Sequence, residues 1–201
     1  MSGWDLKKAI GHKEPKHEIE INNKNAILYA LGIGFQRNPM NKDHFNFTYE
    51  DADEFQAFPT MAVVLAHIGH ITDFKVPGVP EFSPMKLLHG EEQVEVFKPI
   101  EMDSTVTSQE TVIDLQDKKK ATVMVTETEI RDKESNDLLA VIRSNYFIRG
   151  IGGFGERGKI KSVLPNPPKR QPDFIAEEKT EENQAFLYRL SGDRNPLHVD
   201  P

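Results

Sequence analysis

The sequence contains no cysteine. Disulfides, thiolate nucleophiles and cysteine-based zinc sites are therefore excluded. It also lacks a basic excess. Lys and Arg number 25 against 32 Asp and Glu, a net charge of −7. That balance argues against bulk attraction to nucleic acid or to an anionic membrane. No apolar run approaches the roughly 18 residues of a membrane span. The opening Met1-Ser-Gly-Trp-Asp-Leu-Lys-Lys8 has no signal-peptide core. There is no short-period repeat. What remains is a chain of 201 residues, 37% hydrophobic and 28% charged. That is enough for one large or two small globular units with a modest core.

Along the chain, residues 1–18 are polar and read as a frayed lead-in. Asn22-Asn23 offers a helix cap, Ala26, Ile27, Ala30 and Leu31 form a helical stripe, and Gly32 or Gly34 closes it. Residues 36–58 read as loop with short structured pieces. Pro59 to Ile71 is apolar without alternation, which predicts a short buried helix. Its His67 and His70 share one helical face and are expected to serve packing or local hydrogen bonding. Four strands are predicted over 92–98, 104–115, 120–131 and 138–149, an antiparallel meander rich in Val, Ile, Thr and Phe. In the third, Thr122, Met124, Thr126 and Thr128 face one way and Val123, Val125, Glu127 and Glu129 the other. Residues 151–173, dense in Gly and then in Pro and Lys, read as a linker. Thr180 is a plausible cap for a helix from Glu181 to Leu190 that ends near Gly192.

The C-terminal segment Tyr188-Arg-Leu-Ser-Gly-Asp-Arg-Asn-Pro-Leu-His198 carries the chemistry. Pro196 forbids helix at Asn195, so Asp193 to Pro196 must turn. The turn brings the Asp193 carboxylate and the His198 imidazole to one side. Such a pair can hold one water by two hydrogen bonds, take its proton and deliver a proton elsewhere. Asn195 can orient the pair through its amide. Addition of water to an activated double bond, or the reverse elimination, fits this chemistry. Hydrolysis would need Ser191 as nucleophile, and Ser191 has no positioned base. A metal reading through Asp193, His198 and Asp200 lacks a third nitrogen or sulfur ligand, so no metal is expected there.

The same eleven residues, 188–198, resemble the signature of the type 2 (R-specific) enoyl-CoA hydratases, shared with MaoC-like dehydratases. Upstream, Ala26-Ile-Leu-Tyr-Ala-Leu-Gly-Ile-Gly34, Leu87-Leu-His-Gly-Glu91, Lys98-Pro99 and Gly152-Gly-Phe-Gly155 resemble the hydratase unit of the peroxisomal multifunctional enzymes of type 2. The resemblance implies an α+β double hot-dog fold, two sheets each wrapped on a helix. A complete first unit would span 19–150 and accommodate the acyl chain. After the 151–173 linker, residues 174–201 would open a catalytic second unit that is truncated at Pro201.

The resemblance further implies addition of water to trans-2-enoyl-CoA, giving a (3R)-3-hydroxyacyl-CoA in fatty-acid β-oxidation. Asp193, His198 and Asn195 would be catalytic. His89, Gly90 and Lys118 would contact the CoA ligand, together with the contiguous run Asp193, Arg194, Asn195, Pro196, Leu197 and His198. Arg194 stands where relatives often have a large residue such as Trp. By its own residues, His89-Gly90 reads as a turn at a strand start and Lys118 as part of a solvated hairpin. No cofactor is implied, because the CoA thioester is the substrate. Fatty acyl-CoA is the expected partner, and a homodimer is left open. The dehydrogenase and sterol-carrier units that relatives carry are not recognisable. The implied location is peroxisomal, otherwise cytoplasmic, since the terminal His-Val-Asp-Pro201 is not a peroxisomal tripeptide. The family's oxyanion donor lies in a His-Gly segment beyond the signature. The alternative is a non-catalytic acyl-CoA-binding module, and the 201-residue chain alone is expected to hydrate enoyl-CoA poorly, if at all.

Overall fold

The structure, a computed structural model, describes residues 3–68, 75–161 and 166–201. The expected placement of His70 and the end of the 59–71 segment lie outside these residues. Among the described residues the chain forms α1 (Leu6–Ala9), β1 (His17–Ile21), α2 (Asn23–Gly32), α3 (Phe45–Thr48), α4 (Met61–His67), β2 (Leu87–Val96), β3 (Ser104–Asp117), β4 (Ala121–Asp132), β5 (Leu138–Arg149) and α5 (Gln184–Tyr188). No helix among them is long and apolar enough to cross a membrane.

The strands build one antiparallel sheet in the order β1-β3-β4-β5-β2. Alternation divides β4 into two faces, although Val125 of the second set is buried too. Thr122, Met124, Thr126 and Thr128 are all within 2% of full burial, whereas Glu127 and Glu129 opposite them are part-exposed. Helix α4 lies across the buried face and packs on β2, β3, β4 and β5. A sheet wrapped on a helix is one hot-dog unit, the arrangement that the family resemblance implied. Met61, Leu65, Val106, Ile130 and Ile142 join α4 to the sheet in one apolar cluster. Val112, Leu115, Met124 and Ile148 form a second cluster, covered by Ala9 and Val76.

Between the clusters runs a polar seam of Ser108, Glu110, Thr126, Ser144 and Tyr146, each at most 6% exposed. Burial raises the pKa of Glu110, against a lowering contribution from the neighbouring Thr126 hydroxyl. Burial likewise raises Tyr146, and the charge of Glu110 adds to it.

Three expectations need correction. Within the lead-in expected to be frayed, residues 3–18 are ordered against the sheet. Asp5 caps α1, Gly11 N–H donates to Val112 C=O at 2.8 Å, and β1 pairs with β3 from His17↔Ser108 to Ile21↔Ser104. The inward-facing side chains of this edge strand include only two apolar ones, Ile19 and Ile21, so its hydrophobic signal is slight. The strand predicted at 92–98 begins at Leu87 and ends at Val96. A bulge between His89 and Glu91 breaks its alternation. Thr180 does not cap the C-terminal helix. That helix is only Gln184–Tyr188, with Asn183 before it, and continues as a 3-10 turn over Arg189–Ser191.

The Gly-rich start of the 151–173 segment runs along β3. Asp117 accepts the Gly153 and Gly155 N–H groups at 2.9 and 2.7 Å, and Asp114 accepts those of Lys159 and Ile160 at 2.8 and 2.9 Å.

Candidate active site

Helix α5 docks on the C-terminal end of α2. A Cβ at Gly32 would stand 3.2 Å from the Tyr188 Cα, so the glycine permits this close approach. Gln184 Nε2 donates to Gly32 C=O at 3.4 Å, and Arg37 donates to Gln184 Oε1 and to Lys179 C=O, each at 2.9 Å. The Tyr188 ring lies 6.3 Å from that of Tyr29, whose hydroxyl bonds Thr60 Oγ1 at 2.8 Å.

Beyond the 3-10 turn, Gly192 adopts φ 143°, a conformation that side-chain-bearing residues rarely take, and reverses the chain. Asp193 Oδ1 then accepts the Asn195 N–H at 3.2 Å, and Asn195 Oδ1 accepts the Leu197 N–H at 3.0 Å. Pro196 opens a second 3-10 turn over Pro196–His198. The result is a compact loop with Asp193 Oδ2 3.6 Å from His198 Nε2. That gap exceeds a hydrogen bond, yet a water at about 2.8 Å from each atom can touch both. Asn195 thus shapes the turn that carries the pair, through its own amide and backbone.

The loop separates two cavities. Asp193 and His198 face one of about 620 Å³, which Gly32, Gln184 and Tyr188 also line. Arg194 and Pro196 face another of about 690 Å³, walled by Met61, Val64, Leu65 and Ile68. Asp193 and His198 retain 40% and 52% side-chain exposure, so the pair is open to water.

The other predicted residues divide. His89 lies within the electrostatic reach of Asp193. Gly90 forms the bulge beside it. Lys118 sits in the turn between β3 and β4, its Nζ bonded to Gln116 at 3.1 Å, and β4 and β5 separate it from β2. It shares His89's half of the sheet: His89 pairs Tyr146, which pairs Met124, close to the β3–β4 turn. Leu197 is exposed.

Glu92, which sequence reasoning passed over, binds two histidines. His67 Nε2 is 3.1 Å from Oε1 and His89 Nε2 is 2.6 Å from Oε2. Burial alone would raise the Glu92 pKa. The bonds from His67 and His89, with the Ser144 hydroxyl beside them, outweigh it and hold the carboxyl down at about 2. The Glu92 bond raises the pKa of His89 against the opposing effect of burial, with a smaller contribution from Asp193. Burial pushes Tyr188 up to about 12, helped by Tyr29, Asp193 and Glu92. The pair and the Glu92 cluster therefore share one electrostatic neighbourhood. No sequence signal links positions 67 and 92, which only the docking of α4 on β2 brings together.

A family model described as the MFE-2 hydratase 2 N-terminal domain matches residues 19–150. The chain belongs to the MFE-2 hydratase 2 family. A second model, the MaoC like domain, matches residues 163–201. Among curated proteins, the "probable enoyl-CoA hydratase 2" of Dictyostelium discoideum is 36% identical over 98% of this chain and 66% of its own length. The "enoyl-CoA hydratase 2, peroxisomal" of Arabidopsis thaliana is 35% identical over 96% of this chain and, again, 66% of its own. The chain thus spans just under two thirds of the length of these relatives. Among solved structures, a MaoC-like dehydratase from Phytophthora capsici is 35% identical and covers 98% of this chain and 68% of its own, with a TM-score of 0.82. The full-length peroxisomal multifunctional enzyme type 2 of Drosophila melanogaster is 36% identical over 92% of this chain and 31% of its own, with a TM-score of 0.74.

Proposed function

We propose that this chain is part of an (R)-specific enoyl-CoA hydratase of fatty-acid β-oxidation. The observation that carries the reading is the 3.6 Å approach of Asp193 Oδ2 to His198 Nε2, inside a family whose curated relatives are named enoyl-CoA hydratase 2. Asp193 and His198 hold one water and remove its proton as oxygen attacks C3 of a trans-2-enoyl thioester. The electron pair moves through C2 to the thioester oxygen, and a proton returned by the pair to C2 completes the (3R)-3-hydroxyacyl-CoA. Hydrogen-bond donors aimed at the developing enolate would supply much of the stabilisation. Asn195 is the positioning residue that fixes the loop.

The acyl chain fits the apolar cavity behind the loop, where α4 supplies Met61, Val64 and Leu65. Arg194 and Pro196 line that cavity and Leu197 flanks the pair, so the whole 193–198 run contacts the ligand. The CoA moiety runs toward His89 and Gly90, and Lys118 offers a cation for an adenosine phosphate. No cofactor takes part, because the thioester itself activates the alkene. The peroxisome is the proposed location, in keeping with the relatives' names. Residues 19–150 act as the acyl-accommodating unit, 151–173 as linker, and 174–201 as the start of the catalytic unit.

A second reading, acyl-CoA binding without turnover, is favoured by the solvent exposure of the pair. Incubating the gene product that carries these residues with crotonyl-CoA, and determining the chirality of the product, separates the two. The hydratase reading requires (3R)-3-hydroxybutyryl-CoA, and binding with no hydration supports the module.

A further inference from the structure

His67 closes α4 and points at β2, where His89 and Glu92 lie three residues apart. In a regular strand, positions three apart face opposite sides. The bulge at Gly90 adds one residue, so His89 pairs Tyr146 and Glu92 pairs Ser144, two positions that share the buried face. One donor atom from each of His67, His89 and Glu92 lies within 4.8 Å of the others. Three ligands at about 2.0–2.1 Å around a tetrahedral centre stand about 3.4 Å apart; the contacts of 3.1 and 2.6 Å to Glu92 fall short of that by less than 1 Å, so small side-chain rotations open the cluster to an ion.

Two imidazole nitrogens and one carboxylate suit zinc and its neighbours, and do not suit magnesium or calcium, which take oxygen ligands. Side-chain exposure is 25% at His67, 19% at Glu92 and 43% at His89, so the cluster has a shielded floor and one open side. The floor is the polar seam of Ser144, Thr126 and Tyr146, able to orient the ligands from below.

We propose that His67, His89 and Glu92 form a binding site for one transition-metal dication of the zinc class, with its remaining coordination position open to solvent. The site is separate from Asp193 and His198, and its ligands come from α4 and β2. An ion held there would sit in the field of Asp193 and alter the electrostatics of that pair.

The test is titration of the chelator-treated full chain with Co²⁺, followed by its visible ligand-field absorption, and with Zn²⁺ by calorimetry. One ion per chain is expected. His67→Asn and Glu92→Gln should each weaken it at least about tenfold, the loss that even changes around a metal's ligands produce. His198→Asn should bind as wild type. Zn²⁺ should raise the Tm of wild type, and at the same concentration raise that of Glu92→Gln by less. Circular dichroism checks each variant's fold. Should Glu92→Gln fail to fold, His89→Asn, at the most exposed ligand, reports the same loss. Absence of saturable one-to-one binding, wild-type affinity in the ligand variants, or loss of the ion in His198→Asn would each overturn the assignment.

Discussion

Gly32 and Tyr188 touch through their backbones: the space for a Cβ at Gly32 ends 3.2 Å from the Tyr188 Cα. This contact seats α5, and α5 leads into the loop that carries Asp193 and His198. Gly32→Val should therefore cost about 1–3 kcal/mol, the usual penalty of overpacking, and most of it should appear as undocking of 174–201. Limited proteolysis should cut that segment faster in the variant while the sheet melts near its wild-type temperature.

In the proposed hydration Asp193 and His198 act on one water, so their losses should not add. Asp193→Asn and His198→Asn are each expected to lower kcat for enoyl-CoA hydration about 10²–10⁴-fold. The double variant should be close to the worse single one. Steady-state kinetics on all three checks this, and full additivity would assign the two residues to separate steps.

Glu92 makes acid stability predictable. Its folded pKa of about 2 lies below the ordinary 4.5. Its contribution is thus complete above pH 4.5 and disappears as pH falls toward 2. In chelator-treated protein that contribution is on the order of 3 kcal/mol at neutral pH. Urea melts should show Glu92→Gln well below wild type at pH 7 and converging with it near pH 2.

Glu110 has the opposite sign. Burial raises its pKa, so its charged form penalises the fold as pH rises above the unfolded value. Glu110→Gln should gain stability relative to wild type between pH 4 and pH 8. A difference that stays constant over that range would show that Glu110 titrates alike in folded and unfolded chains.

The legible parts of this fold were the long ones. β4 announces itself because Thr122, Met124, Thr126 and Thr128 alternate with Val123, Val125, Glu127 and Glu129; which set is buried was not legible, since the threonine face is buried and Val125 is buried as well. β1 escaped because an edge strand with two inward isoleucines, set among charges, carries little signal. The Asp193–His198 approach was readable because one turn, fixed by Gly192 and Pro196, makes the whole contact. The Glu92 cluster was not readable. It depends on a bulge that changes the parity of β2 at Gly90, and on the docking of α4 from elsewhere in the chain. Thr180 reads as a cap by residue type, yet the helix starts later, at Gln184, and Gln184 and Tyr188 both meet α2 at Gly32.

The most direct test of the account is the stereochemistry of hydration by the gene product that carries these residues, with and without Asp193→Asn. The account predicts that crotonyl-CoA becomes (3R)-3-hydroxybutyryl-CoA, and that the substitution removes at least about 99% of the rate. A (3S) product, or a rate unchanged by the loss of the Asp193 carboxylate, would contradict it.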